Sequence, residues 1–275
     1  MKSKMLFGLV ILVFYACNTR AKEEKLADKN LNRIESLIKN ESYNDAKKAI
    51  DSIHILFPRL VNKRKIASAL KDTIIRRQSS LNLLYCEKIL PQRQHELDSL
   101  AKKFKFEKDE NYQEIGNYIY KTQITELNTY RNYLKSYVDE KATIHLVSYF
   151  TGLKINHKAI KVEANELNIV SDTTNTSNSV FHSFSDGGLY WESLSLKKTE
   201  ALKLVVFITR NYKGKIKITL IGNKKKSSYI LSEQDKKAIY ETYQFWIVKK
   251  DVVQLEKEIL KAKIKTENIK LRYKN

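Results

Sequence analysis

Residues 215–221 read KIKITLI, and residues 232–273 read SEQDKKAIYETYQFWIVKKDVVQLEKEILKAKIKTENIKLRY. The first segment alternates apolar with polar residues and places Ile216, Ile218 and Leu220 on one side, which predicts a half-buried β-strand. The second segment repeats apolar residues at alternating spacings of three and four, which predicts one long helix with an apolar seam. These two patterns together indicate a fold that combines strands with long helices.

The C-terminal helix, 232–275, has the clearest periodicity in the chain. Ser232 is a favourable N-cap residue, with Asp235 three positions later. A long apolar seam has to be covered, and residues 60–103 form the other helical segment that is long enough and carries an apolar stripe. We therefore expect the C-terminal helix to pack on the 60–103 helix as an antiparallel coiled-coil stalk, with homodimerisation through the same seam as the alternative. The seam contains Phe245, Val248, Val252, Leu255, Ile259, Ala262, Thr266, Ile269 and Tyr273.

Between the two helical segments the hydrophobic period changes from helical to two, which is typical of strands. Asp186-Gly187-Gly188 predicts a tight turn, and Asn211 to Gly214 predicts a hairpin turn between two strands. Residues 104–231 therefore predict an antiparallel β domain of sandwich type, and the whole chain an α+β fold with an N-terminal helical region at 26–103. The strand candidates in addition to 215–221 are 104–106, 118–120, 144–147, 160–162 and 204–208.

The N-terminus has the pattern of an export signal. Lys2 and Lys4 precede an apolar run, Leu6 to Tyr15, which ends in Ala16-Cys17. At ~1.5 Å per residue this run covers about 15 Å, half of a ~30 Å hydrocarbon core, so it is too short to span a membrane.

A small residue directly before a cysteine at the end of such a run resembles the lipobox of bacterial lipoprotein precursors. The resemblance implies a signal peptide at 1–16, lipidation of Cys17 and a tether at 17–25. Asn18 stands where aspartate commonly signals retention, so the outer membrane is favoured over the inner, and the leaflet stays open. An ordinary secretory signal and an uncleaved anchor are the alternatives.

Composition excludes several classes of protein. Of the 275 residues 42% are hydrophobic, which excludes a wholly disordered chain, and the 7 glycines and 2 prolines favour long uninterrupted elements. The formal net charge of +20 is spread along the chain, whereas nucleic-acid binders usually concentrate it on one face or arm. A diffuse basic surface favours anionic lipid headgroups or acidic glycans instead.

Glycine and histidine spacings exclude familiar catalytic and cofactor motifs. No glycine pair has the spacing of a dinucleotide-binding fingerprint or a Walker A loop, and no histidine pair has the spacing of an HExxH site. There is no G-x-S-x-G elbow, and the 2 cysteines cannot form a cysteine-rich zinc site. We therefore assign no catalytic residue, and we expect no metal ion and no cofactor.

Positive indications of a binding site are few. Tyr190 and Trp191, just after the predicted glycine turn, are the candidates for an aromatic contact with a ligand. His145, His157 and His182 fall in the β domain, but nothing in the sequence gives them a common centre. Cys86 reads as a small residue packed in a helix.

These observations predict a lipid-anchored cell-envelope protein with a non-enzymatic binding or scaffolding role. Its expected partners are the membrane, through the anchor, and another envelope protein or an acidic glycan. A glycan-acting hydrolase whose site is not visible in the sequence is the first alternative. A nucleic-acid or polyanion binder is the second, and export argues against nucleic acid.

Overall fold

The structure, a computed structural model, describes residues 2–172 and 179–273, with side chains from Arg20 onward. Within those residues the chain forms five α-helices and two antiparallel sheets. It divides into two compact units, residues 1–87 with 258–275 and residues 88–257. Cys17, the predicted lipidation site, lies outside the residues whose side chains are described.

The helices are close to their predicted positions at both ends of the chain. The N–H of Asp235 donates to Ser232 Oγ over 3.1 Å, which confirms Ser232 as the N-cap of the last helix. Pro91 lies inside the third helix without ending it. The helices are α1 (Lys2–Lys39), α2 (Tyr43–Leu56), α3 (Val61–Ala101), α4 (Lys198–Arg210) and α5 (Glu233–Arg272).

The first unit has its own apolar core, formed by α1, α2 and the first half of α3. Leu31, Ile34 and Ile38 repeat at helical spacing on α1 and pack with Ile50 and Ile53 of α2 in one buried cluster. The turn between α1 and α2 contains Glu41 at a positive φ of 59°. None of the described helices is long and apolar enough to cross a membrane.

The second unit contains both sheets. One has six strands in the order β1-β2-β3-β4-β8-β7, and the other has four in the order β10-β9-β5-β6. Every neighbouring pair is antiparallel. The strands are β1 (Phe104–Glu107), β2 (Asn117–Tyr120), β3 (Tyr133–Asp139), β4 (Ile144–Gly152), β5 (Ala159–Ala164), β6 (Leu167–Val170), β7 (Ser179–Asp186), β8 (Leu189–Lys197), β9 (Lys217–Ile221) and β10 (Lys226–Ile230).

One predicted strand is wrong. Leu204 to Ile208 lies in α4, and Asn211 therefore ends a helix instead of opening a hairpin. An apolar run of five residues does not distinguish a strand from a buried helix by itself. The helical spacing appears only when Ala201 is included, because Ala201, Leu204, Val205 and Ile208 form the buried face of α4.

A single apolar core serves the second unit. It joins Leu146 and Leu194 of the six-stranded sheet to Val162 and Ile218 of the four-stranded sheet. Residues of α4 and of the N-terminal half of α5 belong to the same cluster. One face of the six-stranded sheet therefore packs against this core.

Part of the apolar seam of α5 is buried in each unit, whereas Tyr273 at its end is 61% exposed. Phe245, Val248 and Val252 are buried in the second unit, and Ala262 and Ile269 are buried in the first.

Polar contacts join α5 to α3 within each unit. In the second, Arg93 pairs with Asp251 at 3.5 Å. In the first, Asn82 Nδ2 donates to Glu258 over 3.3 Å, and Arg272 pairs with Asp72 at 3.1 Å.

Candidate functional site

The face of the six-stranded sheet opposite the core carries a row of large side chains with one small interruption. Tyr133 on β3 lies opposite Tyr149 on β4, and Tyr149 lies opposite Ser193 on β8. Ser193 in turn lies opposite His182 on the edge strand β7. Because side chains alternate across a strand, all four project from the same face. Ser193 leaves a gap between the tyrosine pair and His182.

A second row runs beside the first and borders this gap. Trp191 lies between Thr151 of β4 and Phe184 of β7. The register of β7 against β8 is set by the two-residue turn Gly187-Gly188, whose φ values are 55° and 81°. Both are in the left-handed region that a type I′ hairpin turn requires and that glycine adopts without strain. The predicted glycine turn is thus confirmed, and it places Phe184 against Trp191.

The gap is a cavity of about 170 Å³. The connection between β2 and β3 supplies its remaining wall through Thr125, Asn128 and Thr129. A cavity of ~150 Å³ is sufficient to hold one six-membered ring. The complete lining is Thr125, Asn128, Thr129, Tyr133, Tyr149, Phe150, Thr151, His182, Phe184, Trp191, Glu192 and Ser193.

The aromatic walls of the cavity are held in fixed orientations. Tyr133 and Tyr149 stack with ring centroids 4.9 Å apart and planes 9° from parallel. Phe184 and Trp191 stack at 5.2 Å and 3°. The indole Nε1–H of Trp191 also donates to the Thr129 carbonyl over 3.3 Å, which ties the ring to the cavity wall. Cross-strand aromatic pairs of this kind are preorganised surfaces for a ring.

Tyr133 brings an unsatisfied polar group to this site. Its side chain is 1% exposed, and its hydroxyl has no hydrogen-bond partner among the described residues. Burial and the neighbouring Tyr149 raise the pKa of Tyr133 above its ordinary value, so the hydroxyl is a neutral donor at pH 7. The Arg131 guanidinium lies 4.5 Å from the ring centroid. Buried hydroxyls are normally satisfied, so an unpartnered hydroxyl on a residue that lines the cavity is unusual.

The two residues singled out in the sequence are adjacent on β8 and project to opposite faces. Trp191 lines the cavity, whereas Tyr190 does not. The Lys154 ammonium lies 5.4 Å from the Tyr190 ring centroid. The structure therefore brings only Trp191 to the cavity, together with tyrosines that the sequence pattern did not distinguish from ordinary sheet packing.

Glu192, one of the lining residues, forms a hydrogen-bonded chain with Ser148 of β4 and with His157 of the β4–β5 connection. His157 Nδ1 lies 2.9 Å from a Glu192 carboxylate oxygen, and Ser148 Oγ lies 2.7 Å from His157 Nε2. With the Nδ1 proton directed at Glu192, Nε2 accepts from the serine hydroxyl. The order serine, histidine, carboxylate is that of a hydrolytic triad.

The burial of these three hydrogen-bonded side chains indicates a structural role. Ser148 and His157 are 0% exposed and do not line the cavity, so the serine hydroxyl has no access to a substrate. The Glu192 carboxylate accepts the backbone N–H groups of Ile155 and Asn156, both over 2.8 Å, and of His157 over 3.1 Å. The chain therefore fastens the β4–β5 connection to β8, directly beneath the cavity.

Protonation states follow from this arrangement. Burial lowers the pKa of His157, and the attraction of Glu192 only partly opposes it. For Glu192, burial raises the pKa, but hydrogen bonds from the Asn156 and His157 N–H groups and the His157 ring outweigh burial and hold the pKa below its usual range. At pH 7 the pair is a neutral imidazole beside a carboxylate.

The three histidines of the predicted β domain do not share a centre. His145 stacks on Tyr137 at 4.6 Å and contacts Asp139 at 3.1 Å, His157 is in the buried chain, and His182 lines the cavity. No group of three or more potential metal-ligating side chains occurs within the part of the chain that the structure describes.

Comparison with protein-family models, with curated protein sequences and with solved structures found no match for this chain.

Proposed function

We propose that this protein is a lipid-anchored component of a bacterial cell envelope that binds a glycan non-enzymatically. One sugar ring of that glycan occupies the cavity above Ser193. The observation that carries the proposal is that Ser193 interrupts the row begun by the stacked pair Tyr133 and Tyr149. The interruption leaves room for one ring beside the second stacked pair, Phe184 and Trp191.

The chemistry of the lining matches a saccharide. The C–H face of a sugar ring is apolar and packs on an aromatic ring, while its hydroxyl groups need hydrogen-bond partners. Phe184 and Trp191 supply the aromatic surface. The Ser193 side chain and the His182 ring supply polar groups around it.

The number of carboxylates that line the cavity agrees with a non-enzymatic role. Glycoside hydrolysis canonically uses two carboxyl groups that flank the bond to be cleaved. Among the described lining residues Glu192 is the one carboxylate, and its oxygens are engaged by backbone N–H groups and by His157. The hydrolase alternative would require a second carboxylate at this site.

The anchor and the finer architecture are part of the same proposal. Acylation of Cys17 would hold the protein on the membrane, with the outer membrane favoured over the inner. The shared apolar core of the second unit supports a sandwich-like pairing of its two sheets. The Arg93–Asp251 and Asp72–Arg272 pairs support an intrachain stalk of α3 with α5 over a homodimer through the seam.

Tryptophan fluorescence tests glycan binding, because the chain has 2 tryptophans and only Trp191 lines the cavity. The Trp246→Phe variant retains Trp191 as the reporter, and Trp191→Phe is the matched control that retains Trp246. We expect a saturable emission change of the Trp246→Phe variant with an N-acetylglucosamine trimer or with a uronate-containing oligosaccharide. An equal change in both variants, or none with either oligosaccharide, would overturn the proposal.

A further inference from the structure

A basic groove lies in the first unit, between α3 and the C-terminal part of α5. It encloses about 680 Å³ and opens beside the start of α2. Its α3 wall is a single helix face, since the residues that line it are spaced by three and four. The lining residues are Glu41 and Tyr43, then Thr73, Arg76, Arg77, Ser80 and Leu81 on α3, and Thr266 and Lys270 on α5.

The cations of this groove are not neutralised by their neighbours. Arg76 and Arg77 are exposed and form no hydrogen bond or ion pair with another described residue. Asp72 is spaced for an i,i+4 pair with Arg76, but its carboxylate accepts from Arg272 at 3.1 Å and from the Tyr273 hydroxyl at 3.1 Å.

Lys270 is only weakly compensated. Its partner Glu267 lies 3.7 Å away, and both side chains are largely exposed, so the pair contributes little. Among the residues that line the groove, three cations thus face one carboxylate, Glu41, which leaves the lining with a surplus of two positive charges.

We infer that this groove binds a phosphate monoester. A phosphate monoester carries about −1.5 to −2 charges at pH 7, which matches the surplus of the groove. Two guanidinium groups supply forked donors that fit phosphate oxygens in pairs, and Lys270 adds a point charge. The hydroxyls of Thr73, Ser80 and Thr266 line the same groove as further donors. The inference concerns the first unit and does not rest on the glycan cavity.

Such a group has two possible sources, a soluble phosphorylated metabolite or glycan and the headgroup of a lipid. Calorimetric titration of the full-length protein with glycerol 3-phosphate tests the soluble source, with glycerol as the uncharged control. Flotation with phosphatidylcholine vesicles, with and without phosphatidic acid, tests the lipid source. Binding to either probe supports the groove, and the pattern identifies the source.

A double substitution, Arg76→Gln with Arg77→Gln, is expected to weaken binding about tenfold or more, because it removes both bidentate donors. The control is Lys29→Gln with Arg33→Gln, which removes two exposed charges from α1 of the same unit. It should bind like the wild type. Equal weakening in both double variants would show diffuse charge and overturn the inference, as would the absence of binding to both probes. Tighter binding of a short DNA duplex, lost in the Arg76/Arg77 variant, would assign the groove to nucleic acid and also overturn it.

Discussion

Glu192 is the residue whose substitution tests the architecture beneath the cavity most sharply. Its carboxylate accepts four hydrogen bonds, from three consecutive backbone N–H groups and from the His157 ring. Glu192→Ala leaves all four donors without their acceptor. An unsatisfied buried donor costs about 1–3 kcal/mol, and the partly exposed Asn156 N–H can donate to water instead. We therefore expect the free energy of unfolding to fall by about 3–6 kcal/mol.

Glu192→Gln separates the charge from the shape of the side chain. The amide oxygen still accepts two of the N–H groups, but the amide nitrogen faces the other two donors. We therefore expect the free energy of unfolding to fall by about 2 kcal/mol, less than for Glu192→Ala. The exposed Glu126→Gln is the control, with an expected change within about 0.5 kcal/mol.

Urea unfolding followed by tryptophan emission measures these differences, because both tryptophans belong to the second unit. The midpoint should fall in the order wild type, Glu192→Gln, Glu192→Ala, with little change in slope. If Glu192→Ala unfolds at the same midpoint as Glu126→Gln, the carboxylate does not fasten the β4–β5 connection, and the reasoning is wrong.

Further predictions concern the pH, the second-unit core and the anchor. Burial holds the pKa of His157 below its ordinary 6.5, so the unfolded chain binds more protons at this residue than the folded protein does. The free energy of unfolding should therefore fall as the pH drops from about 7 towards the folded-state pKa. His157→Gln should flatten this part of a plot of stability against pH, and an unchanged plot would contradict the assignment. Phe245→Ala removes a fully buried ring that packs 4.5 Å from Phe104, and it should cost about 3–5 kcal/mol in the same urea assay; a loss below about 1 kcal/mol would mean that the α5 seam is not part of the core. Cells fed a clickable palmitate analogue should label the wild-type protein and not Cys17→Ser; equal labelling of the two would rule out acylation at that cysteine.

The elements with a strict period were predictable from the sequence. The alternation at 215–221 and the seam of α5 were confirmed as a strand and a long helix, because each pattern extends over more than two periods. Gly187-Gly188 was predictable as a turn because two adjacent glycines permit positive φ at both central positions. The prediction of a strand at 204–208 was wrong because five consecutive apolar residues carry no period of their own.

The cavity was only partly predictable, since it depends on register across four strands. Trp191 was a candidate from the sequence, but nothing local indicated that Ser193 would interrupt a row begun by Tyr133 and Tyr149. The hydrogen-bonded group of Ser148, His157 and Glu192 was missed for the same reason. Ser148 and Glu192 are 44 positions apart, and only the pairing of β4 with β8 brings them to one face. Contacts made by strand pairing leave no signal in the spacing along the chain.

Occupation of the gap above Ser193 by a sugar ring is the central claim, and ligand-observed saturation-transfer NMR tests it most directly. The full-length wild type is compared with Ser193→Phe, which fills the gap, and with Ser195→Phe, which adds the same ring to the same face one row away. With the N-acetylglucosamine trimer and the uronate-containing oligosaccharide as probes, we expect transfer to sugar ring protons in the wild type and in Ser195→Phe, and none in Ser193→Phe. Equal transfer in all three proteins, or none in the wild type, would contradict the account.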